Sequence, residues 1–389
     1  MSGAGSRFEF ATAARIVFGD GAANDIGRIA SEFGRRAFLV TGRDSKRAEG
    51  VAKHLHAANI GVVFFNVAGE PKIDTIRHGA NSARSQQCDL VIAFGGGSAI
   101  DAGKATAAMM TNAGDVLDYL EVIGGGKPLR AAPVPFIAIP TTAGTGSEVT
   151  RNAVIGSPQH RVKASLRSPL MLAKVAIVDP ELTHGLPPEV TASTGLDALT
   201  QLIEPFVCAR ANPLVDALCV EAIPKAARSL KAAFENGTDA GARREMAQAS
   251  LFGGLALANA GLGAVHGLAA VIGGAFDAPH GAICAILLPQ VMEANIRALR
   301  AREPSSSALG RYDEIARLLA GDENAGADDG VAWVEKLVGD LRIPGLSRYE
   351  VREAAITDLV EKSTKASSMK ANPIVLSHEE LTGIVRRAL

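Results

Sequence analysis

Three side chains in the second half of the sequence carry the chemistry of a divalent-metal set: Asp197 in GLDALTQ, His266 in GLGAVHG and His280 in FDAPHG. All three stand among apolar residues, glycines and alanines. A carboxylate in such surroundings needs a partner, because an unpaired buried charge is expensive. Two imidazoles and one carboxylate form a usual set for zinc or iron, with positions left open for substrate. Residue type alone serves a hydrogen-bonded core role equally well, and spacing does not bring the three together.

The first half holds a different chemistry. The run FGGGSAIDAGK, from Phe94 to Lys104, follows an apolar segment and opens a helical pattern. Gly95, Gly96 and Gly97 let the backbone approach a ligand closely. The helix start behind them offers free N–H groups and a positive dipole end, which suit a diphosphate. Ser98 adds a hydroxyl that can cap the helix. The dinucleotide fingerprint GxGxxG is not met. A second polar loop, PTTAGTGSEVT from Pro140 to Thr150, packs hydroxyls and glycines that suit phosphate, ribose or amide hydrogen bonding. Both loops fall where ligands bind parallel sheets, beyond the carboxyl ends of strands. After the first long apolar strand comes Gly42, followed by Arg43, Asp44, Lys46 and Arg47. An acid near this place selects against a 2′-phosphate. With Gly42 first and cations after it, NADP is expected to be tolerated, while Asp44 can still serve the ribose of NAD.

These residues need a scaffold. Ala37–Thr41, Val62–Val67, Leu90–Phe94, Phe136–Ile139 and Val175–Val178 are short apolar β-rich runs, as in strands buried on both faces. Helical patterns lie between them near residues 46–58, 73–86 and 99–111. This alternation predicts an α/β domain with a parallel sheet over residues 1–185. After Pro187-Pro188 the β-rich runs almost vanish, and residues 186–389 read as an all-helical metal and substrate domain. Glu323–Asp329 reads as a polar loop between helices. Gly261 to Pro289 is the longest weakly polar stretch. Its glycines, prolines, His266, Asp277 and His280 predict a buried helical hairpin rather than a membrane span.

Composition excludes some partners. With 40 basic against 41 acidic residues the net charge is −1, so no field of one sign draws nucleic acid or an anionic membrane. Aromatics at 4% supply no base-stacking surface. Cys88, Cys208, Cys219 and Cys284 form no CxxC pair and are expected to be buried reduced thiols of a cytoplasmic protein. The N-terminal residues lack the apolar core of a signal peptide.

Taken in order, the motifs GGGSAIDAGKA, IPTTAGTGSEVT, GLDALTQLIEP, GLGAVHGLAAVIGGAFDAPHG and MKANP resemble the iron-containing (group III) alcohol dehydrogenases. That family is related to glycerol dehydrogenase and maleylacetate reductase. The resemblance runs nearly end to end. It implies a Rossmann-like domain followed by a helical domain, the dehydroquinate synthase-like architecture, with the active site in the cleft between them. It also implies a homodimer, and NAD or NADP passing hydride to or from a small alcohol, aldehyde or ketone. By resemblance, Gly95 to Ser98 hold the diphosphate, and Asp101, Thr141, Thr142, Thr145 and Lys163 line the cofactor site. Asp197, His266 and His280 hold Fe2+ or Zn2+.

Two positions depart from the family pattern. The family metal motif reads Asp-x-x-x-His along one helix, and here the second place is Gln201. The second His that often follows the one matching His266 is Ala270, so its proton relay is missing. Gln201 can offer a weak oxygen ligand or orient substrate through its amide. With metal, the ion polarises the substrate oxygen. Without it, His266 and His280 would donate hydrogen bonds and one would act as general acid. A metal-free maleylacetate-type reductase is the alternative within the class, with Arg151 and Lys163 as candidate clamps for an acidic substrate. A catalytically silent nucleotide-binding protein is the alternative outside it.

Overall fold

The computed structural model describes residues 7–160 and 162–389, and the chain divides into two compact units. One runs from Thr12 to Gly185 and holds a sheet; the other takes Leu186–Leu389 together with the stretch ending at Ala11. The first six residues, on which part of the leader reading fell, lie outside the description. Ala11 joins the helical unit rather than the sheet domain expected from residue 1. Its N–H donates to Asn259 Oδ1 at 2.6 Å and its carbonyl accepts from Asn259 Nδ2 at 3.0 Å.

The sheet unit is built from β1 (Ile16–Phe18), α1 (Ile26–Ala30), β2 (Arg36–Thr41), α2 (Glu49–Ala57), β3 (Gly61–Asn66), α3 (Ile73–Ser85), β4 (Leu90–Gly95), α4 (Gly97–Thr111), α5 (Val116–Tyr119), β5 (Phe136–Pro140), β6 (Asn152–Ser157), β7 (Val162–Arg167) and β8 (Val175–Val178). Six of these strands form a parallel sheet in the order β1-β8-β5-β4-β2-β3. β4, β5 and β8 are buried along their whole length, which is why they read as unbroken apolar runs. β3 lies at an edge and is only partly covered. Leu39, Ile92, Phe94, Ile137, Ile139 and Ile177 form one core with Ile26 and Ile29 of α1 and Val51 and Leu55 of α2. Successive strands are added on opposite sides of β2, first β3 and then β4, so the loops after the parallel strands β2 and β4 open side by side. The antiparallel pair β6–β7 was not foreseen from sequence.

The helical unit comprises α6 (Pro188–Val207), α7 (Pro213–Glu235), α8 (Ala240–Asn259), α9 (Ala264–Ala275), α10 (His280–Arg302), α11 (Ser307–Ala320), α12 (Ala327–Asp340), α13 (Ile356–Ser363) and α14 (His378–Arg387). α6 is the hub, packed against α7, α8 and α10. α9 and α10 form the hairpin read from the glycine-rich stretch, and they pack on each other. α10 is long and apolar enough to cross a membrane by length and composition, yet 78% of its apolar window is buried within the fold.

Candidate metal centre and cofactor loop

α6 presents Asp197, Gln201 and Glu204 at i, i+4 and i+7, which places all three on one helix face. All three are buried. His266 lies in the first turn of α9 and His280 opens α10. Gly281 explains how α10 comes so near: a Cβ there would lie 2.4 Å from the Ser193 carbonyl oxygen of α6. Only glycine permits that backbone approach, and it carries His280 to the α6 face.

One oxygen of Asp197 is the common point. His266 Nε2 stands 3.3 Å from Asp197 Oδ1 and His280 Nε2 stands 3.8 Å from it. The first pair is close but not aligned as a hydrogen bond: both Asp197 Oδ1 and His266 Nε2 are buried without a hydrogen-bond partner, as is Gln201 Oε1. Buried polar atoms are normally satisfied, so the two neighbouring orphans Asp197 Oδ1 and His266 Nε2 suit a shared cation. Ligands held about 2.0–2.3 Å from a tetrahedral zinc are roughly 3.3–3.8 Å from one another, and these two separations fall in that range. The donor set fits a divalent metal.

Glu204 fixes the state of His266. Its Oε2 lies 2.6 Å from His266 Nδ1, and its Oε1 accepts the Val265 N–H at 2.7 Å. A carboxylate accepts, so Nδ1 carries the proton and Nε2 presents a lone pair towards Asp197. This is the carboxylate–histidine pairing that orients metal-binding imidazoles. Asn372, from the MKANP motif, accepts the neighbouring Ala264 N–H at 3.1 Å and exchanges hydrogen bonds with Asn295. Two side chains thus satisfy the start of α9.

The electrostatics agree with a cation-seeking cluster. Burial alone would raise the Asp197 pKa, but His266 and His280, helped by the Gln201 amide, hold it below the usual carboxylate value. Burial opposes charge on His266, yet Cys284, Glu204 and Asp197 hold its pKa well above the ordinary imidazole value. His280 is raised in the same sense, against its burial, by Cys284 and Asp197.

Cys284 completes a group of four. Its sulfur and donor atoms of Asp197, His266 and His280 all lie within 4.8 Å of one another. The expectation of a merely buried thiol missed this. The available signal was its i+4 spacing from His280. Glu204 was likewise passed over, although a carboxylate in the apolar run TQLIEPF calls for a partner.

In the sheet unit, Gly95, Gly96, Gly97 and Ser98 turn from β4 into α4, and Thr141, Thr142 and Thr145 follow β5. A Cβ on Gly97 would lie 2.9 Å from Thr145, and one on Gly95 would lie 3.4 Å from the Gly42 nitrogen. The three loops therefore share one glycine-lined cradle beyond the carboxyl ends of β2, β4 and β5. The first N–H groups of α4 have no partner within the helix. Residues and shape fit a dinucleotide diphosphate.

Asp101 and Lys163 each have protein partners. Asp101 Oδ2 accepts the Val154 N–H at 2.9 Å, and Oδ1 lies 3.5 Å from Lys104. Lys104 donates to the carbonyls of Ser147 and Asn152, at 2.8 and 2.6 Å. This network pins β6 and the threonine loop to α4. Lys163 pairs with Glu70 at 2.6 Å. Asp44 caps the turn after β2 by accepting the Lys46 N–H, and Arg47 donates to the Leu182 carbonyl.

Residues 13–180 match the iron-containing alcohol dehydrogenase family, and residues 191–389 match the C-terminal domain of the Fe-containing alcohol dehydrogenase family. A 1,3-propanediol dehydrogenase of Klebsiella pneumoniae is 36% identical over 91% of this chain and 92% of its own length. A long-chain-alcohol dehydrogenase of Geobacillus thermodenitrificans is 37% identical over 88% and 83%. The crystal structure of a 1,3-propanediol oxidoreductase superposes with a TM-score of 0.91 at 33% identity, covering 99% of this chain and 100% of that one.

Proposed function

Because the chain belongs to the iron-containing alcohol dehydrogenase family, we propose that it interconverts small uncharged alcohols with their aldehydes or ketones, using a nicotinamide dinucleotide and a divalent metal. The observation that carries this reading is the approach of His266 Nε2 and His280 Nε2 to Asp197 Oδ1, where both Asp197 Oδ1 and His266 Nε2 are buried without a hydrogen-bond partner, with Glu204 setting the His266 tautomer. When bound, the nicotinamide exchanges hydride and the metal supplies a Lewis-acid charge for oxygen. Asp197, His266 and His280 hold the ion. Gly95 to Ser98, with Thr142 and Thr145, hold the diphosphate at the start of α4. Gln201 presents its amide beside Asp197 and orients the substrate oxygen. Ala270 offers no proton relay, so solvent or a ribose hydroxyl carries the proton.

Of the two candidate clamps for an acidic substrate, Lys163 is paired with Glu70, which weighs against the part of that alternative that rests on Lys163. We also propose tolerance of both cofactors, because Asp44 is occupied as a cap and Arg43 and Lys46 are exposed. A homodimer in the cytoplasm completes the reading, checked by sedimentation and fractionation. The decisive test is a panel of alcohols, aldehydes and oxo-acids with NADH and NADPH, run on enzyme of known metal content. Turnover on aldehydes that tracks metal content is expected. Full activity at far below one metal per chain, or oxo-acids as best substrates, would overturn the proposal, and a hundredfold preference for NADH would end the dual-cofactor part.

A further inference from the structure

The family pattern supplies a second ligand one helical turn after the aspartate, and this chain has Gln201 there. An amide oxygen is a poor replacement for an imidazole at a transition metal. We infer that Cys284 makes up the loss, and that this chain holds its metal through an Asp197–His266–His280–Cys284 set that selects zinc over ferrous iron. This rests on the metal-dependent reading above and specifies which metal that site takes.

The geometry carries the inference. Cys284 lies one turn after His280 on α10, so both project from the same helix face. Its Sγ is 3.6 Å from His280 Nε2. A zinc with sulfur at about 2.3 Å and nitrogen at about 2.0–2.1 Å in tetrahedral geometry puts those atoms roughly 3.5 Å apart. The thiol is buried, and its sulfur shares a 4.8 Å sphere with the other three donors. Two of those donors are buried atoms with no hydrogen-bond partner, so the sulfur faces groups that themselves await a cation. Cys88, Cys208 and Cys219, also buried, belong to no such cluster among the described residues.

Chemistry fixes the selectivity. On binding, the thiol gives its proton to solvent and the thiolate donates a pair to the metal. Zinc already stands above ferrous iron in intrinsic affinity, and a soft sulfur ligand adds to that order. An Asp-His-His-His set lacks this bias, so Gln201 and Cys284 together would move the chain away from iron.

The experiment uses full-length protein stripped of metal and reloaded with one equivalent of Zn2+, read by X-ray absorption at the zinc edge. One sulfur at about 2.3 Å beside nitrogen and oxygen neighbours is expected, and it disappears in Cys284→Ser. Cobalt-loaded protein should show a thiolate charge-transfer band that the same variant lacks. With equimolar zinc and ferrous iron under anaerobic conditions, the bound zinc-to-iron ratio should fall about tenfold or more in Cys284→Ser. Cys284→Ala, which removes the sulfur in a different way, should lower that ratio too and keeps the test open if the serine variant folds poorly. A shell of nitrogen and oxygen alone in the wild type would refute the sulfur ligand while leaving the metal-dependent reading intact. Failure to retain any metal would refute both.

Discussion

Replacing Glu204 with Gln tests the centre through a residue that never needs to touch the metal. Glu204 spends one oxygen on the Val265 N–H at 2.7 Å and the other on His266 Nδ1 at 2.6 Å. Glutamine is nearly the same shape but has one oxygen and one NH2. If the oxygen stays with Val265, the amide donor faces Nδ1, which must then lose its proton. The proton moves to Nε2, the atom that should present a lone pair. If the amide flips, the imidazole keeps its tautomer but the Val265 N–H meets another donor in a buried site. That unsatisfied group costs about 1–3 kcal/mol. Outer partners of metal-ligating histidines are worth about 10–100-fold in metal affinity, or roughly 1.4–2.7 kcal/mol. We expect Glu204→Gln to weaken zinc binding by that factor, measured by competition with a chromophoric chelator. Thermal unfolding of the metal-free variant reports the stability cost separately. Metal affinity within about threefold of wild type in a folded variant would mean that Glu204 does not set the tautomer, and the orphaned Nε2 would need another explanation.

Three further outcomes are expected. Gly97→Ala forces a methyl to 2.9 Å from Thr145, and overpacking of this kind costs about 1–3 kcal/mol, so NADH affinity by fluorescence titration should fall about tenfold or more while metal content is unchanged. Glu148 is buried, and burial raises its pKa from 4.5 to about 7. Its folded-state pKa lies above the unfolded one, so its contribution to stability is fully present below about 4.5 and is lost as pH rises through about 7. Glu148→Gln should therefore flatten the decline in denaturant-measured stability from acid to mild alkali, by at most roughly 3 kcal/mol; parallel profiles would refute it. His266→Ala should abolish both turnover and stoichiometric metal, and a variant with wild-type turnover would remove the proposed centre altogether.

The sheet was readable because β4, β5 and β8 are covered on both faces, which leaves no polar side of the strand to interrupt the apolar run. β6 and β7 are half-covered and mix Asn, Ser, Lys and Arg into short segments, so neither a continuous run nor a clean alternation marked them. At the metal centre, Asp197, His266 and His280 stood out because ionisable groups among alanines and glycines demand a reason. Cys284 did not, since a buried thiol needs none. Asp101 stands out in the sequence only through its motif; the bond from the Val154 N–H to its carboxylate joins residues too distant in sequence to infer. Asn372 was quoted only as part of a motif; its task at the start of α9 depends on a fold-back of the chain that no local pattern encodes.

α10 has a consequence for biogenesis. Its apolar length equals that of a bilayer crossing, and its cover comes from α6, α9, α11, α12 and α14. Two of those partners precede it in the chain, but α14 is synthesised last among them. A ribosome-bound chain therefore leaves one side of α10 uncovered until α14, the last of these partners, has been synthesised. Truncations that spare every ligand but remove α14 should end in inclusion bodies rather than in soluble apoenzyme.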